Sequence, residues 1–97
     1  MEPADDFSRG MQTIERAITE GVWRMGRNVT SADFFWHRGR AIVPQPESID
    51  LRVRLGRREA VAVFSREEIE DSADSVARSD TLLKIQQIIA EAGQSSR

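Results

Sequence analysis

The 97-residue chain contains one histidine, His37, and no cysteine. Disulfides, thiolate metal sites and cysteine nucleophiles are excluded at once, and a multi-histidine metal cage cannot be built within one chain. Acid–base chemistry at His37 needs a carboxylate or hydroxyl brought in by folding, because its sequence neighbours are Trp36 and Arg38. A lone strand histidine of this kind reads as a surface or half-buried packing residue. Asp71, Asp74 and Asp80 carry the oxygen chemistry of metal ligands, but their spacing lacks the glycine and terminal glutamate of a calcium loop, so they read as a solvated helix face. No phosphate loop, nucleophile elbow or zincin helix occurs. The residues point to no metal, no cofactor and no enzymatic activity.

The remaining chemistry is that of arginine. Only Lys84 among the 14 basic residues is lysine, and the net charge of -2 conceals a segregation. Residues 24–66 hold nine arginines against Asp33, Glu47, Asp50 and Glu59, whereas residues 67–92 hold seven acids against Arg78 and Lys84. The middle is basic and both flanks are acidic. Arg38, Arg40, Arg52, Arg54, Arg57 and Arg58, with Trp36 or Phe34 as a stacking platform, form the candidate for a single-stranded nucleic-acid surface. The competing expectation is that these arginines pair with the acidic helices, within the chain or across a dimer, and lay their stems over apolar surface. A pI near 5.4 favours that pairing over phosphate binding.

These residues must be positioned by a small fold. A chain of 11.0 kDa buries only about 65% of its unfolded surface, enough for one core, so residues 1–97 are expected to form one domain with tails at 1–5 and 93–97. Phe7, Met11, Ile14, Ile18, Val22 and Met25 recur at the spacing of one helix face, which Gly26 ends; Gly10 and Gly21 each weaken that helix by about 1 kcal/mol relative to Ala. Ile49, Leu51, Val53 and Leu55 alternate with charges and predict a strand, joined by Gly56-Arg57-Arg58 to a second strand over 59–64. Setting Leu55 opposite Glu59 pairs Val53 with Val61 and Leu51 with Val63, placing all of them on the core face. Residues 33–38 read as a further strand, and 41–43 as its continuation past a bulge or as a fourth strand.

Ser65 and Glu68 form a capping box, flanked by Phe64 and Ile69 at the staple positions, and open a C-terminal helical region. There Ile69, Ala73 and Val76 lie half a turn from Leu82, Ile85, Ile89 and Ala92, so a straight helix cannot bury both sets. A break near residues 78–80, with Ser79-Asp80 as a second cap, is expected over one long helix whose distal half meets another molecule. The fold class is thus α+β: an N-terminal helix, a three-stranded antiparallel sheet with room for a fourth strand, and a broken C-terminal helical region.

The order helix, three strands, helix is that of the double-stranded RNA-binding domain, but the basic cluster such domains carry at the start of the last helix is here Glu67, Glu68, Glu70 and Asp71. Residues 34–40 also lack the glycine and aromatic spacing of an RRM. No family is assigned. Trp23 stands at about 160° from Phe7 on the helical wheel, opposite the apolar stripe, and is either an interface residue or turned back into the core beyond an early helix end. The acidic first residues and the absence of an apolar leader or span predict a cytoplasmic protein with no membrane partner. The function expected is a non-enzymatic interaction or regulatory module that binds a protein partner or itself, and the alternative is a weak single-stranded nucleic-acid binder. The candidate partner-binding residues are Trp23, Trp36, Arg38, Arg40, Arg52 and Arg54.

Overall fold

The computed structural model describes residues 6–38 and 48–94. Arg40 and the expected strand over 41–43 lie outside the described residues. The described chain is an α+β fold: α1 (Asp6–Arg24), β1 (Phe34–Arg38), β2 (Ser48–Leu55), β3 (Arg58–Ser65), α2 (Arg66–Asp71) and α3 (Ser79–Gln94), with a short 3-10 turn at Ser31–Asp33. The three strands form one antiparallel sheet in the order β1-β2-β3. The inner face of the sheet carries Phe34, Ile49, Leu51, Val53, Leu55, Ala60 and Phe64, which pack with Ile14, Ile18 and Val22 of α1, Ile69 of α2, and Ile85, Ile88 and Ala92 of α3. No helix among the described residues is long and apolar enough to cross a membrane.

Helix α1 ends as its sequence predicts. Gly26 takes φ +81, the Gly26 amide donates to Trp23 and the Arg27 amide donates to Val22, the paired bonds that satisfy the last carbonyls of a helix when a left-handed residue follows it. The two internal glycines have a packing role that propensity does not reveal. A Cβ on Gly10 would collide with the backbone carbonyl of Ile69, and one on Gly21 with the Ile89 side chain, so the glycines are where α2 and α3 approach α1.

The hairpin register differs by one residue from the expected one. Gly56 has φ +69 and opens a two-residue loop, so Leu55 pairs with Arg58 and not with Glu59. Val53 faces Ala60 and Leu51 faces Ala62, while Val61 and Val63 turn outward. Packing explains the choice. With this parity Phe64 is fully buried against the sheet's inner neighbours and can meet Ile69, and the small Ala60 and Ala62 leave room for α3 over β3. The other parity would take Phe64 away from Ile69 and set Val61 and Val63 beneath α3 where the two alanines now stand.

The C-terminal region is broken as expected, with the second helix opening at Ser79. α2 stops at Asp71 and the connection runs through residues 72–78. The buried face of α3 is Thr81, Ile85, Ile88 and Ala92, with Ile89 partly buried, rotated from the expected set so that Leu82 is left 42% exposed. α3 continues to Gln94 and includes Gly93, expected in the tail.

Two measurements test this packing. Leu51→Ala should lose about 2–5 kcal/mol in a urea melt while Val63→Thr changes stability by less than about 0.5 kcal/mol; comparable losses would mean that the valines face the core after all. Gly10→Ala, which helix propensity alone makes stabilising by about 1 kcal/mol, should instead destabilise by about 1–3 kcal/mol through overpacking, and a raised midpoint would refute the close approach to Ile69.

Candidate interaction surfaces

All three helices pack on one side of the sheet, so the residues of opposite parity form its outer face. Along β1 these are Phe35 and His37, along β2 Asp50, Arg52 and Arg54, along β3 Glu59, Val61 and Val63. The register sets Phe35, Arg52 and Val61 in one row and His37, Asp50 and Val63 in the next. Phe35 is 42%, Val61 54% and Val63 49% exposed, an apolar patch threaded by charge. The Arg54 guanidinium lies 5.3 Å from the Phe35 ring centroid, and Arg52 approaches Glu59 of β3 at 3.7 Å. A shallow depression is lined by Phe35, Trp36, His37, Arg52, Arg54 and Glu59.

The candidate residues therefore divide. Arg52 and Arg54 share this face. Trp36 belongs to the opposite side of β1: its ring stands 6.0 Å from Phe64 at 46°, and its indole N–H donates to Glu15 of α1 at 2.6 Å, which satisfies the one polar atom of a part-buried indole. Phe34 is likewise buried. The aromatic on the arginine face is Phe35, which the sequence reading passed over, although the alternation Phe34-Phe35-Trp36 already requires one of the three to point away from its neighbours. Arg38 ends β1 opposite Ile49. Trp23 is 68% exposed on the last turn of α1, far from the arginine pair, and α1 continues through it to Arg24, so it does not turn back into the core.

Of the arginines in the competing expectation, Arg58 pairs with a helix acid, Glu91 at 4.0 Å; elsewhere Arg66 pairs with Glu70 at 3.1 Å, Arg9 with Asp74, and Arg78 with both Asp71 and Asp80. Arg78 spans the break, donating to Asp71 at the end of α2 and in a fork to Asp80 at the start of α3. Its hydrogen bonds hold the Asp80 carboxyl below the ordinary aspartate value. Such exposed pairs contribute at most about 1 kcal/mol each.

One acid is buried. Glu68 of α2 accepts from the Ser65 amide at 3.1 Å, from the Thr81 hydroxyl at 3.1 Å and from the Lys84 ammonium at 2.8 Å. Burial by itself raises its pKa, but the bonds from Lys84, Ser65 and Thr81 outweigh that and hold the carboxyl below the ordinary glutamate value. All its acceptor capacity is spent inside the fold, which makes it structural. Among the described residues no group of three or more histidines and carboxylates could hold a metal ion. No buried side-chain polar atom among them is left without a partner. Comparison with family models, with curated proteins and with solved structures gives no match.

Because the Glu68 pKa is depressed in the fold, its linked stabilisation is fully present above the unfolded value, about 4.3, and is lost as pH falls through the folded value. Glu68→Gln should therefore flatten part of the acid limb of stability against pH, leaving the part due to Asp80, and should lose about 1–3 kcal/mol at pH 7. Superimposable wild-type and variant curves in urea melts from pH 2 to 7 would show that the carboxylate is not the junction described.

Proposed function

We propose that the chain is a non-enzymatic interaction module that presents the outer face of its sheet to a protein partner. The observation that carries this reading is the exposure of Phe35, Val61 and Val63 on one sheet face, opposite the side where every helix packs. Exposed apolar residues interleaved with charges of both signs suit a protein contact, and Arg52 and Asp50 on the central strand stand between Phe35 on β1 and the valines on β3. The mixed signs favour a protein over a polyanion. The lack of cysteine is compatible with a reducing, cytoplasmic setting. Trp23 lies outside this face and is a candidate for a separate contact.

A second reading is supported by one specific arrangement, the stacking of Arg54 on Phe35 beside Arg52, which resembles the aromatic and cationic platforms of single-strand binders.

The two readings separate in one set of experiments. Immobilised protein should retain a discrete polypeptide from nuclease-treated lysate, and Phe35→Ser with Val63→Asp should abolish retention while circular dichroism stays unchanged. Equal retention by the variant would remove the face from the reading. A single-stranded oligonucleotide at low salt should show no electrophoretic shift. A shift abolished by Arg52→Glu with Arg54→Glu, and falling steeply with salt, would establish the second reading in place of the first.

A further inference from the structure

Among the described residues β3 is an edge strand. Its pairing with β2 closes at Leu55 and Arg58, and antiparallel alternation then points the amides and carbonyls of Glu59, Val61 and Val63 away from β2. Among the described residues no backbone or side-chain hydrogen bond is made to those groups. The outward row is therefore a template for a further strand.

The element beside this edge is α3, and the two run antiparallel with a measurable registration. Arg58, at the start of β3, reaches Glu91 at 4.0 Å, while Lys84 stands 5.4 Å from the ring of Phe64, near the end of β3. Halfway along the strand, Val61 shares a groove with Gln87 and Ile88, the residues halfway between Lys84 and Glu91. The strand midpoint and the helix midpoint thus lie together.

We infer that this edge binds a second copy of the chain, β3 against β3, about a two-fold axis that passes between the two copies of Val61 and makes one six-stranded antiparallel sheet. The argument is one of self-complementarity. An axis at Val61 sets Glu59 of one copy opposite Val63 of the other, so no like charges meet across the seam. On the inner face it sets Ala60 opposite Ala62, the smallest pairing available in β3, directly above the place where two copies of α3 must fit. Because Val61 borders the groove that Gln87 and Ile88 also line, the same axis sets the two α3 helices antiparallel to each other. The four valines at positions 61 and 63 then form one continuous strip at the centre of the outer face. The inference extends the interaction-module reading to self-association and rests on it only for the purpose of the enlarged face, since the dimer is measured on the purified chain with no other partner.

Sedimentation equilibrium of the wild type should give a concentration-dependent mass between monomer and dimer. The chain has no cysteine, so single-cysteine variants report the axis without background. Val61→Cys meets its own copy at a Cα spacing of about 5.5 Å, within disulfide reach, whereas Val63→Cys lies four residues out of register with its copy, roughly 13 Å away. Under mild oxidation Val61→Cys should become a covalent dimer and Val63→Cys should remain monomeric on a denaturing gel. A wild type that stays monomeric at high concentration overturns the proposal. So does equal crosslinking of the two cysteine variants, or a wild-type dimer in which Val61→Cys fails to crosslink. Partner retention that persists with a monomeric chain would leave the module reading standing and remove only the dimer.

Discussion

The junction at Glu68 is the interaction on which the arrangement of the C-terminal half depends. The Glu68 carboxylate joins the end of β3 through the Ser65 amide and α3 through Thr81 and Lys84, while the Glu68 amide returns a bond to the Ser65 hydroxyl. A buried charge is tolerated only where its partners are supplied, and here they come from the end of β3 and from α3 at once. The helix break follows from the same constraint. Thr81 must face Glu68, so α3 is rotated to bury Thr81, Ile85, Ile88 and Ala92, which a straight continuation of α2 could not do. Ser72, fully buried and bonded to the Glu68 carbonyl at 2.9 Å, closes α2 at the point where that continuation has to stop.

Around this junction the layers are assembled by close approach. α1 meets α2 at Gly10 and α3 at Gly21, positions where any side chain would push the helices apart. The Thr13 hydroxyl donates to the Ala73 carbonyl at 3.2 Å, and Arg9 pairs with Asp74, so the connection after α2 is tied to the first half of α1. With the helices concentrated on one face, the sheet's other face and the far edge of β3 take no part in the core. The surface available for recognition is what this one-sided packing leaves over.

The charge segregation in the sequence acquires a spatial meaning only in part. The acids of residues 67–92 lie on or beside α2 and α3, and several take up arginines: Arg66, Arg78 and Arg58. Arg52 and Arg54 lie instead on the outer face, beside Glu59 and Phe35. A net charge counted by segment therefore overstates the basic character of any one surface, because cross-strand and helix contacts bring acids next to arginines that are distant in the chain.

The features written in the sequence are those that depend on neighbouring residues. The apolar stripe of α1, its stop at Gly26, the alternation of β2, and the Ser65-Glu68 capping box with Phe64 and Ile69 each rest on contacts within a turn or two, and each is present in the fold. Decisions that compare distant surfaces were made by tertiary packing. Whether Val61 or Ala60 faces inward depended on the volume that Phe64 and α3 require; either alternation is a good strand. Which side of β1 becomes the outer face was set by where α1 lies, since Glu15 captures the Trp36 indole and leaves Phe35 outside. Gly10 and Gly21 weaken a helix by local propensity, yet they stand where two other helices come close, and Glu68 reads as a capping-box acid until Lys84 and Thr81, 16 and 13 residues away, make it a buried junction. Local sequence carries short-range hydrogen bonding and periodicity; the sum of volumes and charges in the core exists only after distant segments meet.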